Sequence, residues 1–395
     1  IARRAREDRL LIRCGQVGAL HASRYYRMGM AKKLNSQDRR WAAVRTAMRE
    51  AQLEALLVTH LPDVRWLSGF TGSNAALAIT HRTATLFTDG RYTTQARKET
   101  QGARVVIAKK SALMEACASL EKSARHAAFD PQHTSIADLE LMRSAVTGAK
   151  RRGFFVPLKA PLVSKLRMLK DAAELAVMRE AAHLGCLLFE EVLSRMEPGL
   201  SEIAIAAELE FLARGMGAEG MSFETIIASG PRSALPHGRA TQARLPRKGF
   251  VTLDFGVILN GYCSDMTRTV HLGGAGREER FAYDSVLAAQ QAAVAAVKPG
   301  ATCGGIDEAA RGVLREAGLA KYFTHSTGHG VGLEIHEQPR LAAGQDTRLE
   351  PGMVITIEPG VYLPGKFGIR IEDMVAVTKT GGQILTPVTK GWIEL

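Results

Sequence analysis

The chain has 395 residues, 46% of them hydrophobic, and a formal net charge of +12. That length predicts two domains, and the hydrophobic content excludes a coreless, fully disordered polymer. A basic excess can signal nucleic acid. Here residues 1–40 hold eleven Lys and Arg against three Asp and Glu, so +8 of the +12 falls there and no nucleic-acid partner is expected.

Residues 1–36 read as a basic, disordered extension. It has no hydrophobic core of signal-peptide length, and Glu7 and Asp8 argue against a transit peptide. Met28 and Met30 are alternative starts, since patterned sequence begins soon after. No apolar run approaches the roughly 20 residues that span a bilayer, so no membrane partner is expected. Cys14, Cys117, Cys186, Cys263 and Cys303 form no close pair. An odd set of scattered thiols points to a reducing, cytoplasmic compartment. Cys263, two residues before Asp265, reads as a small packing residue.

Residues 37–156 alternate helical and strand signals, the pattern of an α/β domain. Asp38–Glu54 predicts a helix, and Leu56–Thr59, Ala75–Thr80 and Thr85–Thr88 predict strands. Two prolines in Val156–Pro161 mark the boundary, and residues 157–170 read as a linker before a second domain over 171–395. That domain contains an internal echo. A helix from Asp171 to Met196 ends at Glu197-Pro198-Gly199, with another helix near Ser201; Phe281–Val297 ends at Lys298-Pro299-Gly300, with another near Ile306. A repeat of this length suggests a pseudo-twofold core with a site between the halves.

Phe250–Leu259 is apolar and β-branched and predicts a strand. Asn260-Gly261 is a strong two-residue turn signal, and Tyr262–Val270 returns. That register sets Leu259 against Tyr262 and Thr267 against Asp254, which makes Asp254 and Asp265 diagonal neighbours on one face, roughly 7–8 Å apart. Met353–Glu358 and Gly368–Val375 predict two more strands. Glu358 is the odd residue of an apolar run, and alternation puts Arg370 on the face of Glu372.

His329 lies in the glycine-rich run Thr327-Gly328-His329-Gly330-Val331-Gly332, flanked by His325 and His336; His237 precedes them in Leu235-Pro236-His237-Gly238. Asp254, Asp265, His329, Glu358 and Glu372 are spaced as ligands for a pair of metal ions, with ten, sixty-three, twenty-eight and thirteen residues between successive members. Four carboxylates facing one cavity without metal would repel and take up protons, whereas two divalent cations would cancel their charge. One imidazole among carboxylates suits Mn²⁺, Co²⁺ or Zn²⁺ rather than Ca²⁺ or Mg²⁺.

Thr252-Leu253-Asp254-Phe255-Gly256, Ser264-Asp265-Met266-Thr267-Arg268-Thr269, the His329 run, Ile357-Glu358-Pro359-Gly360 and Gly368-Ile369-Arg370-Ile371-Glu372-Asp373 resemble the pita-bread metallopeptidases. That family holds methionine aminopeptidase, aminopeptidase P and prolidase. Asp63–Ser73 and Thr88-Asp89-Gly90-Arg91-Tyr92 resemble the creatinase-type N-terminal domain of its proline-specific branch, and Arg370 is a feature of that branch. The resemblance implies an α/β creatinase-like domain followed by an α+β pita-bread catalytic domain with pseudo-twofold symmetry. It implies two divalent ions per subunit, Mn²⁺ first, and a homodimer acting on small peptides with proline at position two.

The same resemblance makes Glu358 the proton carrier. His325 and His336 would steady substrate and oxyanion, His237 would shuttle protons or bind near the leaving proline, and Arg370 would fix Glu372 or contact substrate. Xaa-Pro aminopeptidase is the first reading and Xaa-Pro dipeptidase the second. Methionine aminopeptidase, a metal-free creatinase-like enzyme and a non-catalytic peptide-binding module stand behind them.

Overall fold

The computed structural model describes residues 36–148 and 153–395. The basic segment through residue 35, with Cys14, Met28 and Met30, lies outside the described residues. Those described form two compact units that divide between Arg167 and Met168. Among them no helix is long and apolar enough to cross a membrane.

The N-terminal unit opens with a helix over residues 36–50. Its strands are β1 (Ala55–Val58), β2 (Ala75–Thr80), β3 (Ala84–Thr88), β4 (Arg104–Ile107), β5 (Ala127–Phe129) and β6 (Phe155–Pro157), in the sheet order β4-β3-β2-β1-β5-β6. The β1-β2-β3 run is antiparallel, while β1-β5, β5-β6 and β3-β4 are parallel. All four residues of β1 are buried, which is why that strand reads as an unbroken apolar run. The stretch 157–170 holds the end of β6 and a short helix, Val163–Arg167.

In the C-terminal unit Asp171 caps the helix Ala172–Leu193 through a capping box with Glu174. The helix Glu202–Gly215 follows, then β7 (Gly220–Met221), β8 (Ile226–Ser229), β9 (Gly249–Phe255), β10 (Val257–Leu259), β11 (Tyr262–Cys263) and β12 (Met266–Leu272). The second half repeats the plan with helices Arg277–Ala296 and Cys303–Glu316. Its strands are β13 (Gly328–Gly330), β14 (Glu337–Leu341), β15 (Val354–Ile357), β16 (Gly360–Leu363), β17 (Phe367–Arg370), β18 (Asp373–Val377) and β19 (Gly382–Ile384).

The echo extends to single bonds. Ser201 and Thr302 each cap the second helix of their pair through the side chain. Gly199 N–H donates to Leu245 O at 2.9 Å and Gly300 N–H to Leu349 O at 2.8 Å. Arg244 Nη1 donates to Gly199 O at 2.7 Å, and Arg348 Nη1 to Gly300 O at 2.8 Å. Each half thus ties its Pro-Gly corner to a later segment, through a matching isolated bridge, in the same way.

The strands expected as single runs are split. Phe250–Leu259 is β9 plus β10, and Tyr262–Val270 is β11 plus β12, with the members of each pair in different sheets. The kink falls at Gly256, where a Cβ would run into the Ser264 carbonyl, so the two backbones close in on each other there. Asn260 and Gly261 adopt φ of 47° and 78°, as a type I′ turn requires. The register Leu259↔Tyr262 and Thr267↔Asp254 is the expected one. Gly368–Val375 is likewise two strands, β17 and β18, in different sheets. The break comes at Ile371-Glu372, whose N–H groups turn to Pro359 O and Thr267 O.

Each half contributes one apolar core. Phe250, Ile355, Ile357 and Ile369 join one, and Val251, Leu253 and Phe255 the other. Phe250 thus faces one core and Val251, Leu253 and Phe255 the other, and burial of each such side chain is worth about 1.5–3 kcal/mol.

Candidate metal centre

The four carboxylates sit at corresponding places in the two halves. Asp254 is the penultimate residue of β9, and Glu358 directly follows β15. Asp265 directly precedes β12 and Glu372 directly precedes β18. Strand breaks thus aim all four carboxylates inward, and β13 adds His329. Asp254, Asp265 and Glu372 are buried; Glu358 and His329 are half-buried. Asp265, His329 and Glu372 each offer a ligand atom within 4.8 Å of the others. His329 Nε2 is 3.5 Å from Asp265 Oδ2 and 3.5 Å from Glu358 Oε1.

The imidazole is held in one tautomer. His329 Nδ1 lies 3.0 Å from Gly330 O and donates to it, so the Nε2 lone pair faces the carboxylates. Burial pushes the His329 imidazolium down to about 4, which keeps the ring neutral. Burial, then the charges of Glu372, Asp254 and Glu358, raise Asp265 well above the carboxylate range. Burial followed by Glu372 does the same to Glu358, and burial with Asp254 carries Glu372 to about 8. A neutral nitrogen lone pair aimed at carboxylate oxygens that repel one another is a donor set short of positive charge. Two divalent cations satisfy it, so these residues fit a dinuclear centre.

Around the carboxylates runs a network that the sequence reading did not assign. Arg370 Nη2 donates to Asp254 Oδ2, Nη1 to Tyr362 OH at 2.6 Å and Pro236 O at 3.0 Å, and Nε to Thr267 Oγ1 at 3.2 Å. The direct carboxylate partner of Arg370 is therefore Asp254, and Thr267 stands between it and Glu372. Thr267 and Tyr362 both escaped notice as site residues. The predicted register already put Thr267 opposite Asp254, a usable signal. Tyr362 carried none, lying in an apolar strand that offered no chemistry of its own.

The three other histidines differ in setting. His325 is held at both nitrogens, Nδ1 by Ser326 O and Nε2 by Tyr362 OH, each at 2.8 Å. Burial, aided by Arg370, pushes it down to about 4. His336 is exposed, its ring centroid 4.5 Å from that of His329. Partial desolvation and the field of His237 lower its pKa. His237 is exposed, next to the Pro236 carbonyl that Arg370 holds. Burial pushes Tyr362 up to about 12, so its hydroxyl stays protonated.

A two-unit chain with a five-residue carboxylate and imidazole centre between two related halves is the architecture of a dinuclear metallohydrolase. Residues 176–379 match the model of metallopeptidase family M24, and residues 40–169 match the creatinase/prolidase N-terminal domain. The chain belongs to metallopeptidase family M24 and is a hydrolase; that family implies a dinuclear divalent metal centre.

An uncharacterized peptidase of Bacillus subtilis (strain 168), YqhT, is 37% identical over 353 residues, which is 89% of this chain and 99% of that protein. The Xaa-Pro dipeptidase of Pyrococcus furiosus is 44% identical over 225 residues, 57% of this chain and 65% of that protein. Among solved structures, an Xaa-Pro dipeptidase from Bacillus anthracis superposes with a TM-score of 0.87 at 38% identity, covering 91% of this chain and all (100%) of that one. The X-Pro aminopeptidase from Thermotoga maritima gives 0.80 at 35% identity, covering 89% and 100%.

Proposed function

We propose that this chain hydrolyses the peptide bond before a penultimate proline, as an Xaa-Pro aminopeptidase. The observation that supports the reading is the Asp265, His329 and Glu372 cluster, with Glu358 3.5 Å from His329, in a chain whose N-terminal residues match the creatinase/prolidase domain. A dipeptidase preference is the second reading, favoured by the names of the B. anthracis and P. furiosus relatives.

Asp254, Asp265, His329, Glu358 and Glu372 would hold two ions, Mn²⁺ first and Co²⁺ or Zn²⁺ as substitutes. When bound, the pair supplies Lewis-acid activation of water and of the scissile carbonyl. Glu358 would take the proton from the attacking water and pass it to the leaving nitrogen. Thr356 Oγ1 donates to Glu358 Oε1 at 3.3 Å and orients it.

His336, exposed beside His329, would donate to the developing oxyanion. His325 acts through Tyr362 as a brace, because both its nitrogens are engaged within the protein. His237, exposed beside the Pro236 carbonyl, would shuttle protons or bind near the leaving proline. Arg370 holds Asp254 and, through Thr267, Glu372. A proline nitrogen carries no amide N–H, so its pocket selects by shape. Cys117, Cys186, Cys263 and Cys303 are buried free thiols, which supports a reducing, cytoplasmic setting. A homodimer and small-peptide substrates belong to the same reading.

The test is hydrolysis of Ala-Pro-Ala, Ala-Pro and Met-Gly-Ala by metal-stripped protein with and without Mn²⁺. Mn²⁺-restored cleavage of Ala-Pro-Ala is the expected result. Cleavage of Ala-Pro alone makes the chain a dipeptidase, cleavage of Met-Gly-Ala alone a methionine aminopeptidase. Silence on all three with metal bound overturns the reading.

A further inference from the structure

Each half of the C-terminal unit buries an acid on its second helix that is not one of the five candidate ligands. Glu202 is 0% exposed on the helix Glu202–Gly215, and Asp307 is 1% exposed on Cys303–Glu316.

Glu202 closes a loop. Its Oε1 accepts from Ser229 N–H and from Ser229 Oγ, each at 2.9 Å. Its Oε2 accepts from Thr241 N–H at 3.1 Å and from Thr241 Oγ1 at 2.8 Å. Arg232 Nε reaches both oxygens, at 3.2 and 3.1 Å, and Arg232 Nη2 donates to Arg239 O at 2.8 Å. One carboxylate therefore holds both ends of the segment 230–240 that follows β8. That segment carries His237, the Pro236 carbonyl that accepts from Arg370 Nη1 at 3.0 Å, and the Ser233 hydroxyl that accepts from Gly368 N–H at 2.8 Å.

Asp307 does the same before β13. Its Oδ1 accepts from Thr327 N–H at 3.1 Å and from Thr327 Oγ1 at 2.8 Å, and its Oδ2 accepts from Arg311 Nε at 2.6 Å. Arg311 then donates to Phe323 O at 3.1 Å and to His325 O at 2.5 Å. The Thr327 carbonyl accepts in turn from Glu358 N–H at 2.8 Å. An acid, an arginine and a threonine thus grip the backbone around His237 in one half and around His325 in the other.

A buried charge pair is weak grounds for stability, because apolar side chains of similar volume often fill such a place at no greater cost. What these carboxylates supply is position. Charge-assisted bonds are short and directional, and misplacing a reacting group by about 1 Å can cost on the order of 10²-fold in rate.

We propose that Glu202 and Asp307 are paired positioning residues, one in each half. Glu202, with Arg232, fixes the segment that presents His237. Asp307, with Arg311, fixes the segment that presents His325 and the backbone of Glu358. The effect on turnover rests on the peptidase reading, whereas the effect on the two rings does not.

The test is NMR of the histidine rings in the full chain loaded with diamagnetic Zn²⁺, for wild type, Glu202→Gln and Asp307→Asn. His237→Gln and His325→Gln identify the two signals. Glu202→Gln should shift the His237 ring more than the His325 ring, and Asp307→Asn the His325 ring more than the His237 ring. A merely structural loss would not sort the two rings by variant. With Mn²⁺, kcat on Ala-Pro-Ala should fall about 10–100-fold in each acid variant while KM changes little, since the groups held act in the transition state. Thr241→Val and Thr327→Val keep each acid and remove one hydroxyl donor. They should give the same order of ring shifts at smaller amplitude, and they decide the matter if the acid variants do not fold. No ring shift, equal shifts or the reverse order would overturn the proposal, as would normal kcat in a variant whose ring has moved. A wild-type chain inactive on every Xaa-Pro peptide would remove the peptidase reading instead, and the ring pattern would still judge the two clamps.

Discussion

Thr267 Oγ1 lies 2.6 Å from Glu372 Oε2 and donates to it, while the same oxygen accepts from Arg370 Nε at 3.2 Å. One fully buried hydroxyl therefore orients a candidate ligand and couples it to the guanidinium that holds Asp254. Thr267→Val keeps the shape and removes the hydroxyl. It should weaken Mn²⁺ binding about 10–100-fold, the usual cost of losing a group that supports a metal ligand. Thr267→Ser should restore most of it. Titration calorimetry on both variants checks this, and equal Mn²⁺ affinity in wild type and Thr267→Val would remove the role.

Glu358→Gln should lower turnover of Ala-Pro-Ala by about 10²–10⁴, the range for loss of a general base. The measurement is kcat at saturating Mn²⁺, with metal content determined on the same sample. Near-normal turnover would transfer the proton to another group.

Tyr362 OH bridges Arg370 Nη1 and His325 Nε2. In Tyr362→Phe two buried polar groups lose their shared partner, a loss worth about 1–3 kcal/mol. Urea denaturation of the metal-free variant reads it without interference from ion binding. An unchanged midpoint would mean that water replaces the hydroxyl.

Metal-free protein should lose stability as pH rises from about 6.5 to 8. Glu372, raised from 4.5 to about 8, binds its proton more tightly in the folded state. Its contribution is complete below about 4.5 and is lost as pH climbs through 8. Asp265 and Glu358 act in the same direction. His325 and His329, lowered from 6.5 to about 4, act oppositely, but only below about 6.5, where the unfolded rings take up protons first. Melting temperatures in EDTA should therefore fall across this window, and Mn²⁺ or Glu372→Gln should flatten the fall. A flat curve in EDTA would show that the carboxylates do not share one field.

Arg268 is 1% exposed and pairs with Asp373 Oδ1 at 2.8 Å, while it also donates to the carbonyls of Thr267, Thr386, Val388 and Thr389. Arg268→Ala should cost about 3–5 kcal/mol, the penalty for breaking a buried pair from one side. Chemical denaturation measures it, and a loss under about 1 kcal/mol would mean that Lys390, also on Asp373, takes over.

Much of the site's local geometry could be read from sequence because turn chemistry and side-chain alternation are short-range. Asn260-Gly261 set the β10-β11 register, and that register placed Thr267 against Asp254. The strand breaks at Gly256 and at Ile371-Glu372 could not be read, because they answer contacts with Ser264, Pro359 and Thr267 that are distant in sequence or cross between strands. Alternation along one strand puts Arg370 where it would fix Glu372 or contact substrate. With the strand broken, its guanidinium reaches Asp254 directly and Glu372 through Thr267. Tyr362 was invisible for a related reason, since only the fold brings it to His325 and Arg370.

The matched Pro-Gly corners at Gly199 and Gly300 show that each half of the C-terminal unit is braced on its own terms. The candidate ligands are shared between the halves: Asp254 and Asp265 come from the first, His329, Glu358 and Glu372 from the second. The centre is therefore a seam. A chain cut between residues 273 and 277 would leave one fragment with two carboxylates and the other with an imidazole and two carboxylates. Neither fragment alone would carry the full donor set, so high-affinity ion binding would report that the two had rejoined.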